Sequence, residues 1–182
     1  MFQPRGFGNG ASSPELEVVL LADSTTFNVG DAVESYSTGY LKRGTKAKPT
    51  LGILVAIVDK YGNPLPPTAY AAGSATSSDV ASVTTSSSNV SGTIYYGLVN
   101  TSRDQKYSAD VNGTIGTTAN SDRGHGWIIL DSDNSNFGKV LETGFSRTAV
   151  KEWYVVGVDS ADTTRLIVQL AGSEKISSAL TP

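Results

Sequence analysis

Hydrophobic positions in this chain come in short bursts separated by polar, Gly-rich spacers, and the longest burst sits early. Within residues 28–65, NVGDAVESYSTGYLKRGTKAKPTLGILVAIVDKYGNPL, the positions Leu51, Ile53, Leu54, Val55, Ile57 and Val58 form the most continuous apolar run. A run of that length, bounded by Pro49 and by Gly62-Asn63-Pro64, predicts a strand buried on both faces. DAVES ahead of it predicts a second strand, with Gly30-Asp31 as its tight entry. Gly52 inside the run predicts a bend or a close backbone approach. The rest of the chain is expected to pack around this unit.

The remaining bursts also have strand length. LEVVLL (16–21), TIYYGLVN (93–100), GWIILD (126–131) and the segment opening at Val140 are compact apolar runs. KYSADV alternates, and Asn112-Gly113 after it predicts a two-residue hairpin returning through residues 114–118. RTAVKEWYVVGVD and TRLIVQLA, joined by the turn Ser160-Ala161-Asp162, predict a C-terminal hairpin. Residues 64–89 begin with prolines and become a Ser/Thr/Ala stretch with one edge strand, VASVT. No window sustains i, i+3, i+4, i+7 apolar spacing, so helices of at most a turn or two are expected, for example around residues 74–81. About nine or ten short strands with turns between them predict an all-β fold: a single β-barrel, SH3-like or OB-like, or a β-sandwich. The barrel is the preferred form. The expected organisation is an extended N-terminal arm (1–15), one all-β domain (16–174) and a flexible tail (175–182).

Composition narrows the function classes. The 182 residues are 38% hydrophobic and 17% charged, with the balance in small polar residues, so the core must come from a few segments. A net charge of −3 and a pI near 5.1 argue against generalised nucleic-acid affinity. With no cysteine there is no disulfide, thiolate metal site or Cys nucleophile. No run reaches the ~18 to 20 apolar residues of a membrane helix. MFQPRGFGNGASSP is too polar for a signal peptide, which leads to the expectation of synthesis in the cytosol without export by that route. A Gly-rich arm with spaced aromatics, when ordered, lies against its own domain or a neighbouring subunit, so Phe2, Arg5 and Phe7 are candidate contacts. Between residues 38 and 49, Lys42, Arg43, Lys46 and Lys48 read as a solvated hairpin loop or as a patch for an acidic partner.

Catalytic and cofactor signals are sparse. His125 is the only histidine, and nothing in the sequence places a nucleophile and an orienting carboxylate beside it. G-x-S-x-G, G-x-G-x-x-G and the P-loop pattern are all absent, and no cofactor is expected. The metal candidate is the run from Asp131 to Glu142. Asp131, Asp133, Ser135 and Glu142 match positions one, three, five and twelve of a calcium loop, while Asn136 stands where that loop has glycine. Its simpler reading is an Asx-rich loop joining two strands. Tyr36, Tyr40, Tyr61 and Tyr70 could offer an aromatic face to a glycan, or pack at strand ends.

TFNVGDAV, LGILVAIVDKYGNPL, KYSADVNGTIGT, LDSDNSN, ETGFSRTAV and TRLIVQLAGSE together resemble small β-rich virion proteins of tailed bacteriophages, of the capsid-associated or decoration type. The resemblance implies a structural role without catalytic residues. Copies would bind the major capsid protein and one another on the shell, as a homo-oligomer such as a trimer, in a virion assembled in the host cytoplasm. Two other expectations come from different classes. One is a head-fibre or tail-associated module that binds host glycans; the other is a glycan-degrading enzyme using Asp131 and Asp133.

Overall fold

The computed structural model describes residues 2–7, 15–35, 38–45, 49–66, 81–103, 105–112, 126–131, 139–146 and 152–170. Their elements in chain order are β1 (Phe2–Phe7), β2 (Leu16–Leu20), β3 (Thr26–Asn28), β4 (Ala32–Ser35), β5 (Leu41–Arg43), β6 (Gly52–Asp59), β7 (Ser82–Thr84), α1 (Asn89–Gly92), β8 (Tyr95–Asn100), β9 (Gln105–Asn112), β10 (Gly126–Asp131), β11 (Lys139–Ser146), β12 (Trp153–Val158) and β13 (Arg165–Leu170). The fold is all-β, as the spacing of apolar bursts predicts. Its several, mainly antiparallel sheets fit the sandwich alternative, and the chain as a whole is not one closed barrel.

The described residues cluster into two compact units. One comprises residues 15–43 and 51–101; the other comprises residues 1–14, 44–50 and 102–182. A single domain over 16–174 was the expectation. The sequence carries no single boundary signal because the chain passes from unit to unit four times.

In the β2–β8 unit a five-stranded sheet runs β2-β8-β6-β4-β5, and a small pair joins β3 to β7. The apolar run becomes β6, in the middle of the sheet between β8 and β4. Ile53, Leu54 and Ile57 are buried there. Leu54 and Ile57 pack with Leu21, Ala22, Phe27, Val33, Leu41 and Val99 into one cluster. Gly52 is the close approach that its place in a central strand predicts: a Cβ there would lie 2.2 Å from the Asn100 carbonyl oxygen. Gly30, with φ 92°, turns the chain into β4, and Asp31 N donates to Asn28 O at 3.0 Å. The predicted VASVT edge strand is β7. A helical turn lies at Asn89–Gly92, and the one expected around residues 74–81 lies almost wholly outside the described residues.

In the β9–β13 unit the sheet runs β1-β9-β11-β10-β12-β13, and β13 also pairs with β9. One edge of β9 therefore carries β1 and then β11, while its other edge carries β13. β12 and β13 form the predicted C-terminal antiparallel pair. Trp153, Val155, Leu166, Val168, Leu170, Tyr107, Ala109, Ile128 and Val140 are buried. The turn predicted at Asn112-Gly113 and its returning strand lie at residues 113–118, outside the described residues.

Candidate contact surfaces

The N-terminal segment is a strand. β1 lies antiparallel on β9, from Phe2 opposite Ala109 to Phe7 opposite Gln105, with an irregularity between Pro4 and Gly6. Proline has no N–H for a ladder, and an edge strand with a bulge is where a sheet tolerates it. Phe2 is buried, stacked on Trp153 at 4.7 Å and edge-on to Tyr107 at 6.2 Å. An aromatic side chain seated this way contributes about 2 to 3 kcal/mol. The Tyr107 hydroxyl and the Trp153 indole nitrogen are buried with no hydrogen-bond partner among the described residues. Burial pushes the Tyr107 hydroxyl well above the usual tyrosine pKa, so it stays neutral. For Arg5 and Phe7 only the backbone is described.

Beside this aromatic cluster is a buried polar one. Ser108 Oγ donates to Asp159 Oδ2 at 2.5 Å, and Arg165 donates through Nε to Ser108 Oγ at 2.8 Å and through Nη2 to Ser108 O at 2.9 Å. Arg165 Nη1 also pairs with Asp110 Oδ1 at 3.2 Å. The serine is fully buried and held between a carboxylate and a guanidinium, so no substrate reaches its oxygen. What the cluster does is join β9 to the start of β13 and to the turn before it.

The described part of the basic stretch includes a strand. Its residues 41–43 form β5, antiparallel to β4, with Lys42 opposite Glu34. Arg43 folds onto a buried carboxylate: Nε lies 2.9 Å from Asp31 Oδ2, and Nη2 donates to Oδ1 at 3.3 Å. Asp31 Oδ2 also accepts from Asn28 N at 2.9 Å. Burial raises the Asp31 carboxyl above its ordinary value, partly offset by Arg43 and by the Asn28 backbone bond. Arg43 is thus committed within its own unit. Lys46 and Lys48 lie outside the described residues.

Of the four calcium candidates only the backbones of Asp131 and Glu142 are described. Asp131 ends β10 opposite Lys139, Glu142 lies on β11, and Asp133 and Ser135 fall outside the described residues. Among the described residues no three His, Cys, Asp or Glu side chains gather as a metal site. His125, Tyr36 and Tyr70 also fall outside. Tyr40 packs against the core of the β2–β8 unit, whereas Tyr61 is 76% exposed, with Lys60 Nζ 5.0 Å from its ring centre.

Sequence reasoning missed one surface. β2 is the last strand of its sheet, and no described strand pairs with its outer edge over residues 15–19. Leu16 is 48% and Val18 63% exposed there, unusual for apolar residues in a strand. The signal was LEVVLL itself: Leu16, Val18 and Leu20 put apolar side chains on one face while Val19 and Leu21 put them on the other. A strand at the edge of a sheet has no need of both. No family model matches the chain, and no curated protein or solved structure matches it either.

Proposed function

We propose that this protein is a structural component that works by surface contact: a virion shell protein of the decoration or cement type, binding the major capsid protein and copies of itself. The observation that carries the reading is the uncovered apolar edge of β2, with Leu16 and Val18 facing outward. Such an edge is a template for another strand, and proteins that remain single blunt it with charge, proline or a covering segment. The strand addition of β1, anchored by Phe2, supports the same reading, because it shows an extended segment binding through a ladder and one aromatic plug. The buried Ser108–Asp159–Arg165 cluster serves structure, and no catalytic step is assigned to it.

The test is co-expression of the chain with the major shell protein of the virion it is proposed to belong to, followed by sedimentation of the assembled shells. The expected result is saturable incorporation and greater resistance of the shells to heat. Shells that assemble without retaining the protein overturn the proposal. A second reading, a glycan-binding module, has Tyr61 as its observation. Binding on a glycan array that is lost in Tyr61→Ala would favour it over the shell protein.

A further inference from the structure

The two units follow one hydrogen-bonding plan. Taking β2, β4, β5, β6 and β8 as the five strands of one, and β9, β10, β11, β12 and β13 as those of the other, the first strand pairs antiparallel with the fifth in both. The fifth pairs with the fourth, the fourth with the second, and the second with the third, all antiparallel. The first meets the third in parallel, at Leu21 with Leu41 and at Val111 with Val140.

The registers also coincide. Val33 opposite Gly52 answers to Ile128 opposite Trp153, and Leu54 opposite Val99 answers to Val155 opposite Val168. Each fourth strand carries its irregularity directly after that second pair, between Leu54 and Ala56 and between Val155 and Gly157. On this correspondence Leu21 matches Val111, and residues 15–19 match residues 105–109. The latter are the stretch of β9 that β1 covers. The same stretch of β2 has no described strand on it.

The exposed backbone groups on that edge are known from their neighbours. Leu21 N donates to Tyr95 O and Thr101 N donates to Glu15 O, so the odd-numbered residues of β2 face β8. Ala22 N donates the other way, to Leu41 O. By strand alternation the N–H and C=O of Leu16 and Val18, and the N–H of Leu20, therefore project from the uncovered edge, whereas the Leu20 C=O turns to Leu41 in the parallel bridge of Leu21 with Leu41.

We propose that β2 pairs with β2 of a second copy, antiparallel across a two-fold axis, in a register centred on Val18. This deepens the reading of the protein as a self-associating structural component and rests on it. The register follows from the edge. A centre on any residue sets projecting groups opposite one another, but a centre on Glu17 would set the two carboxylates against each other, whereas Val18 avoids this and brings Leu16, Val18 and the Leu20 N–H of both strands into the ladder. Three facing pairs then form: Val18 with its own counterpart exchanges two main-chain bonds, and on either side Leu16 with the other copy's Leu20 is joined by the bond from Leu20 N–H to Leu16 C=O. On one face these pairs make a continuous apolar strip from Leu16, Val18 and Leu20 of both strands. On the other, Glu17 lies opposite Val19, so no two carboxylates meet directly. The interface is isologous, as a two-fold requires.

Sedimentation velocity on the full chain, Val18→Pro and Val18→Cys tests this. Proline removes an N–H that β8 does not use, so the fold is kept while the central reciprocal bonds are lost. The unmodified protein is expected at twice its 19.0 kDa chain mass. Val18→Pro is expected to associate roughly 100-fold more weakly with an unchanged circular dichroism spectrum. In a chain without native cysteine, Val18→Cys is expected to oxidise to a disulfide-linked dimer, because paired strands hold opposite Cα atoms within disulfide range. A single-chain mass from micromolar to millimolar concentration overturns the proposal, as does a dimer that Val18→Pro leaves intact or that Val18→Cys does not link. If the chain proves monomeric yet is still incorporated into shells, the pairing falls and the shell-protein reading stands. A dimer with no shell binding has the opposite meaning.

Discussion

At the scale of single residues, the most consequential choice is the burial of Asp31 under Arg43. A carboxylate 3% exposed is expensive unless it is paired, and the guanidinium and Asn28 supply the pairing. Removing one partner is worse than removing both. Arg43→Met is therefore expected to lower stability by about 3 kcal/mol in urea melts, and addition of Asp31→Asn to recover much of it. The pH dependence has a defined sign. Burial already raises the Asp31 carboxyl in the folded state, and loss of the cation raises it further. The folded chain then takes up a proton at a higher pH than the unfolded chain. Stability of Arg43→Met accordingly rises as pH falls from neutrality towards the unfolded carboxylate value, near ~4. Urea midpoints of the variant and the parent between those limits should converge on acidification; parallel curves would show that Asp31 is not the group left unpaired.

At the scale of elements, β1 shows what an arm gains by becoming a strand. Its anchor is Phe2 against Trp153 and Tyr107, and the Pro4–Gly6 irregularity makes the ladder alone a weak hold. Phe2→Ala should cost about 3 kcal/mol, mostly by releasing β1. Tryptic cleavage after Arg5 reads that opening directly and should accelerate about 100-fold if opening is fast relative to cleavage. An unchanged rate would mean that β1 is held by something other than Phe2. The strands themselves were largely legible, because apolar bursts and turn residues report local structure. Gly126–Asp131 emerges with the bounds its apolar run suggested, and Gly52 occupies the close approach expected of a glycine in a central strand. β5 was not legible. Two of its three residues are cationic, and what makes it a strand is Leu41 in the core and a carboxylate twelve residues earlier for Arg43 to cover. The open edge of β2 depends on which strands do not pair with it, and that is decided far away in the sequence.

At the scale of the whole molecule, the shared plan of the two units stayed hidden for a physical reason. Backbone pairing and a bulge fix a register without fixing residue identity, so Gly52 and Trp153, or Glu17 and Tyr107, hold matching places with opposite chemistry. Where the β9–β13 unit fills that place with rings and a strand, the β2–β8 unit brings β8 close over Gly52 and has no described strand on that edge. The cores are separate in composition too, and both tryptophans, Trp127 and Trp153, belong to the β9–β13 unit. Tryptophan emission thus reports one unit, while far-ultraviolet circular dichroism reports both. Leu54 is fully buried in the other core, and Leu54→Ala should remove about 3 kcal/mol from it. With two cores, the two signals are expected to part in that variant, the dichroism falling at lower denaturant and the emission holding nearer its original midpoint. Coincident midpoints, both shifted, would instead show that the four chain passages bind the units into a single cooperative transition.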